Sequence, residues 1–160
     1  MIDLIAIGAV SVNCAHKLAK SLEQQGIRLV AESTQTHDAM QLLRDFKHDV
    51  VLLDFASQAG EQVALIQLLR IGNPATKILL VAEQTPDEVI LDGLSAGAKG
   101  YLEHEACGVF LAKAIDAIAM GEVWISRRMA AVMVERLIHL TDQTRADARI
   151  SKPGLSKLLH

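Results

Sequence analysis

Apolar runs alternate with helical periodicity five times along the chain, and this alternation constrains the fold more than any other feature. The runs are Leu4–Ile7, Ile27–Ala31, Val50–Leu53, Ile78–Val81 and Gly100–Leu102. They are nearly uninterrupted, as expected of parallel strands covered on both faces. Between and after them lie the amphipathic stretches Val12–Gln25, His37–Phe46, Glu61–Arg70, Asp87–Ala96 and Val109–Met120. Gly26 and Gly97 stand just past the first and fourth of these, where helices commonly end. Pro86 suits a first helical turn, with Thr85 as its N-cap. Five βα units in succession specify a doubly wound α/β fold with right-handed crossovers.

The pattern changes after Gly121. A sixth helix is expected over Arg127–Leu140, with no strand before it. Met129, Val132, Met133, Leu137 and Leu140 mark one apolar stripe, and Ala130, Val134 and Ile138 widen it. So broad a stripe needs a partner. The following "TDQTRADARISKPGLSKLLH" is polar and broken by Pro153-Gly154, which reads as a linker. The expected division is a sheet domain over residues 1–122, an added helix over 123–140 and a linker over 141–160.

In an open parallel sheet, ligands gather beyond the carboxyl ends of the strands. Those ends are Gly8-Ala9, Glu32-Ser33, Asp54, Ala82-Glu83 and Glu103-His104. Asp54 therefore stands at a crevice, directly after four apolar residues. A carboxylate there costs solvation free energy unless something uses it. It either serves chemistry or accepts backbone N–H bonds as a structural cap, and the residues alone leave both open.

Composition removes several classes of function. The net charge is −3 and aromatics are 3% of residues, so neither the basic face nor the stacking platform of a nucleic-acid binder is evident. No apolar run reaches membrane-spanning length, and the start lacks a signal peptide. Cys14 and Cys107 are too few and too far apart in sequence for a disulfide framework or a zinc site. They read as reduced thiols, which fits a cytoplasmic protein. His16, His37, His48 and His139 are scattered, so no metal site is expected. No cofactor and no catalytic residue is expected either.

The segment "DVVLLDF", together with "KILLVAEQTPDEVILDGLSAGAKGYLEHEACGVFLAKAIDAIAMGEVWIS", resembles a bacterial response-regulator receiver domain. It is most similar to the NarL/FixJ subfamily, whose receivers precede a LuxR-type helix-turn-helix. The resemblance implies a flavodoxin-like (CheY-like) sheet of order 2-1-3-4-5, with Asp54 as the counterpart of the phosphoacceptor. Tyr101 corresponds to the aromatic of the family's switch. DNA binding is implied only through a C-terminal helix-turn-helix not in this chain.

Several positions depart from the family pattern. Gly8 and Ala9 stand where two acidic residues hold Mg²⁺, an ion that relies on carboxylates, phosphate oxygens and water. Ala82 replaces the hydroxyl that bonds the phosphoryl group, and His104 replaces a lysine. Phosphoryl transfer depends on positioning and charge neutralisation. The expectation is a degenerate receiver that signals by protein contact or dimerisation, as a homodimer through Met129–Leu140.

Other readings are conventional phosphorylation at Asp54 and cyclic di-GMP sensing. The latter rests on Trp124–Arg127, "WISR", which resembles a W-[FLM]-[TS]-R motif but departs from it at Ile125. Trp124 also suits plain packing against the fifth helix. A dinucleotide-binding unit is more remote: "IAIGAVSVN" has one glycine where that fingerprint needs three.

Overall fold

A computed structural model of the chain describes residues 1–55 and 60–151. In chain order the elements are β1 (Ile2–Ile7), α1 (Ala9–Lys17), α2 (Ala19–Gln24), β2 (Ile27–Ser33) and α3 (Ala39–Asp45). There follow β3 (Val50–Phe55), α4 (Gly60–Gly72), β4 (Lys77–Ala82), α5 (Asp87–Ala96), β5 (Gly100–Glu103), α6 (Cys107–Ala119) and α7 (Arg127–Ser151). Single 3₁₀ turns, Thr36–Asp38 and His104–Ala106, precede α3 and α6. The strands form one parallel sheet of order β2-β1-β3-β4-β5, the expected doubly wound topology.

The strands are buried on both faces because successive side chains alternate sides. Leu4, Ala6, Val50, Leu52, Leu79 and Val81 join Cys14, Ala15, Leu22, Leu111, Ile115 and Ile118 in one core. Residues of the other parity, including Ile5, Ile7, Val51, Leu53, Phe55 and Leu80, are equally buried. On that side Gly93 of α5 lets Leu80 and Phe55 approach its backbone; an added Cβ would stand 2.8 Å from each. Each large side chain so buried contributes roughly 1.5–3 kcal/mol.

Three expectations need correction. The single helix expected over Val12–Gln25 is two, broken at Leu18, and it starts earlier, at Ala9. The early start has a tertiary cause, a cap that arrives from β3. Thr85 does not cap α5: Pro86 holds the N-cap position, and the Thr85 hydroxyl donates to the carbonyls of Phe55 (3.2 Å) and Glu83 (3.1 Å). The last helix does not stop at Leu140 but runs 25 residues to Ser151. Thr141 and Thr144 donate their hydroxyls to the carbonyls of Leu137 and Leu140, at 2.8 and 2.9 Å, so these residues stay within the helical pattern. Neither proline nor glycine interrupts it there. Pro153-Gly154 and the rest of the expected linker lie outside the described residues.

The chain divides into two units, Met1–Ile125 and Ser126–His160. The second opens on Ser126, whose hydroxyl accepts the Met129 backbone N–H at 3.0 Å and so caps α7. Along that helix Val134, Leu137, Ile138 and Leu140 are half or more exposed. No described helix is long and apolar enough to cross a membrane.

Candidate functional site

The parallel register brings the ends of β1, β3, β4 and β5 to one edge. Ile7 lies beside Leu53, Asp54 beside Val81, Phe55 beside Ala82, and Ala82 beside Glu103. Gly8, Asp54, Ala82 and His104 are thus gathered at one end of the sheet, around a half-buried Asp54.

The Asp54 carboxylate is already engaged. One oxygen, Oδ2, accepts the Val10 N–H at 2.9 Å, and the other, Oδ1, accepts the Ser11 N–H at 2.6 Å. Val10 and Ser11 are the second and third residues of α1, the positions whose amides an N-cap side chain ordinarily satisfies. Gly8 precedes the helix and has no side chain to do so. Asp54 supplies the cap from a different strand, and its negative charge lies at the positive end of the helix dipole.

Gly8 makes room for this. Its φ is +105°, and a Cβ there would stand 2.3 Å from Asp54 Cγ and 2.5 Å from Oδ2. A side chain at position 8 and this carboxylate position are mutually exclusive. Ala9 is exposed and offers no donor. Gly8, Ala9 and Asp54 together therefore present one carboxylate with both oxygens bonded to backbone amides. That donor set does not fit a Mg²⁺ ion, which is held through carboxylates and phosphate oxygens at near-octahedral geometry. The same geometry disfavours a dinucleotide at the first turn, because Asp54 occupies the amides that would cradle pyrophosphate. Glu32, the counterpart of a ribose-binding acid in that reading, is instead in hydrogen-bonding contact with the His16 ring.

The remaining positions are also committed. Ala82 is fully buried at the end of β4. The nearby Thr85 hydroxyl is turned to two backbone carbonyls. His104 Nδ1 lies 3.3 Å from a carboxylate oxygen of Glu83. Tyr101 is buried on β5, opposite Leu80.

Trp124 takes a place that periodicity did not reveal. It makes an isolated bridge alongside Gly100: its N–H donates to the Lys99 carbonyl, and its carbonyl accepts from Tyr101 N–H, both at 3.0 Å. Its ring meets that of Phe110 on α6 at 6.1 Å between centroids, tilted by 47°. The other residue of that motif, Arg127, opens α7 in the second unit.

The open five-stranded parallel sheet of order β2-β1-β3-β4-β5 is the sheet of the receiver fold. Residues 12–116 match the response regulator receiver domain family, and the chain belongs to that family. It is 28% identical over 138 residues to the DNA-binding transcriptional activator DevR/DosR of Mycobacterium tuberculosis, covering 80% of this chain and 64% of that protein. It is 29% identical over 136 residues to the oxygen regulatory protein NreC of Staphylococcus aureus, covering 84% and 62%. The chain thus spans under two thirds of the length of these relatives. A similar solved structure is the RcsB response regulator of Salmonella typhimurium, with TM-score 0.71, 17% identity and coverage of 83% of this chain and 69% of that one. Another is a LuxR-family two-component response regulator from Aurantimonas, with TM-score 0.69, 21% identity and coverage of 86% and 99%.

Proposed function

We propose that this chain is the signal-receiving part of a LuxR-type transcriptional regulator, working through protein contact and dimerisation instead of aspartyl phosphorylation. The observation that carries the reading is the Asp54 carboxylate, bonded through both oxygens to the first turn of α1. Asp54 is then a structural carboxylate kept for the fold. A phosphoryl group on it would break the cap and would meet neither a metal site, a hydroxyl at position 82 nor a lysine at position 104. Incubation with Mg²⁺ and acetyl phosphate, followed by intact-mass measurement, is expected to show no phosphorylated fraction. A stoichiometric gain that disappears in Asp54→Asn would establish conventional phosphorylation instead.

The LuxR-type assignment draws on the similarity to DevR/DosR and NreC. DNA contact in this reading belongs to a helix-turn-helix outside these 160 residues. A cytoplasmic location goes with it. Residues 1–122 would receive the signal and the helix beyond them would make the contact.

The contact surface is the stripe of Val134, Leu137 and Ile138, which are 55%, 64% and 53% exposed. These three lie at i, i+3 and i+4, one face of a helix. A two-fold contact would cover the same stripe on both copies. RcsB, a structural neighbour, forms dimers on DNA, which favours this reading. Val134→Glu with Ile138→Glu is expected to give folded monomer by light scattering where the unmodified chain is dimeric. A monomeric unmodified chain at high micromolar concentration would refute the dimer. Cyclic di-GMP sensing has less support, since Trp124 is engaged in the sheet and against Phe110.

A further inference from the structure

Among the described residues, two buried side-chain oxygens lack a hydrogen-bond partner, Ser11 Oγ and Gln62 Oε1. Ser11 is fully enclosed in the core, whereas Gln62 lines a cavity of about 200 Å³. Thr36, His37, Glu61 and Leu65 complete the lining.

Both walls of this cavity are fixed by the fold. Thr36 and His37 belong to the 3₁₀ turn that follows β2. Ser33 holds that turn, its hydroxyl donating to the Asp38 carboxylate at 2.8 Å and accepting the Gln35 N–H at 3.0 Å. The other wall is α4, anchored by Ile66 and Leu69, which are fully buried. Glu61 and Gln62 stand in its first turn, with Leu65 at i+4 and i+3 from them, so the three share one helix face.

The lining specifies the chemistry of an occupant. A buried acceptor left unpaired is costly, so Gln62 Oε1 calls for a hydrogen-bond donor. The Thr36 hydroxyl is a second group able to accept. Glu61 adds a negative charge, which also complements the positive end of α4. An anion would therefore meet a carboxylate and an orphaned acceptor, while a cation with N–H groups satisfies both. His37 does not reverse this balance, because its ring is already paired with Asp38 at 3.3 Å. Leu65, half-buried, offers an apolar surface to a short stem. The volume lies below the roughly 300–1,000 Å³ of pockets for drug-sized ligands, so the occupant is small.

We propose that this cavity binds a small aliphatic cation bearing N–H donors, an alkylammonium or alkylguanidinium, with Gln62 Oε1 and Glu61 as its acceptors and Leu65 against its stem. The site does not depend on how Asp54 is read. It does lie at the same edge of the sheet, since the turn after β2 and the start of α4 both follow strand carboxyl ends. Occupation joins these two elements, and so provides an input that requires no phosphate.

The test titrates the isotope-labelled full chain with n-butylguanidinium and follows its backbone amide resonances. Saturable shifts at millimolar concentration are expected, clustered on Thr36, His37, Glu61, Gln62 and Leu65. Three further probes separate the contributions: n-butanol has the stem without charge, tetramethylammonium the charge without N–H donors, and butyrate the opposite charge. None of them should give a saturable shift at these residues. Glu61→Gln and Gln62→Leu should each weaken n-butylguanidinium binding about tenfold or more, since each removes an acceptor for a charged donor. Absence of saturable shifts at these residues, an equal response to any of the three other probes, or unchanged affinity in either variant would each overturn the proposal. The four probes on the unmodified chain decide it, should a variant fail to fold.

Discussion

Gly8→Ala is expected to destabilise the domain by about 2–5 kcal/mol. Two effects add. A non-glycine residue at φ +105° and ψ 155° lies in a region that is essentially glycine-only, a strain of about 1–3 kcal/mol. The new Cβ would also overlap Asp54 Cγ at 2.3 Å and drive the carboxylate off the α1 amides. Loss of an N-cap costs about 0.5–2 kcal/mol more. Urea unfolding measures the sum, and the midpoint should fall without a change in slope. The two positions should also be coupled. With Asp54→Ala already present, the overlap with the carboxylate and the cap are gone and only the contact with Cβ of residue 54, at 2.6 Å, remains, so Gly8→Ala should cost less, by about 1 kcal/mol. Strict additivity would mean that the contact between the two residues carries no energy.

Gly100→Ala should be comparably costly, for a different reason. A Cβ at position 100 would stand 2.4 Å from the Trp124 carbonyl oxygen, 2.9 Å from its Cβ and 3.0 Å from its nitrogen. The obstruction is backbone, which cannot swing aside as a long side chain does. Trp124 must leave the edge of β5, giving up its hydrogen bonds with Lys99 and Tyr101. Overpacking costs about 1–3 kcal/mol and each of the two lost bonds about 0.5–1.5, so the expected loss is about 2–6 kcal/mol. Trp124 is the one tryptophan in the chain, so its fluorescence reports the displacement directly. A red-shifted emission should accompany the lowered midpoint, whereas unchanged emission with unchanged stability would contradict the close approach.

Much of the fold is legible in the sequence because its signals are local. The runs at Val50–Leu53 and Ile78–Val81 lie within strands that extend further at their carboxyl ends, to Phe55 and Ala82. Asp87–Ala96 is helical over just those residues. What periodicity cannot show is a partner distant in sequence. The α1 amides are satisfied from 43 and 44 positions away, so neither the early start of that helix nor the use of Asp54 could be read locally. Trp124 joins the sheet as a single bridge, too short to carry an alternation. Cys14 and Cys107 read as isolated because only the crossovers bring both into one core on the same face of the sheet. The tail after Leu140, polar and then broken at Pro153-Gly154, reads as a linker, whereas the helix continues to Ser151. Residues such as Asp142, Gln143 and Arg145 are compatible with a helix, and no proline or glycine occurs between Leu140 and Pro153.

The role of Asp54 as an internal helix cap is tested most directly by the Val10 and Ser11 amide resonances of the labelled chain. They should be followed as Mg²⁺ and beryllofluoride, a phosphoryl mimic, are added. Asp54→Ala provides the reference for amides released from the carboxylate. In the unmodified chain both resonances are expected to stay in place throughout the titration, well separated from that reference. Saturable movement of both toward the released position would show that the carboxylate leaves the helix to take a phosphoryl group, and would contradict the capping role.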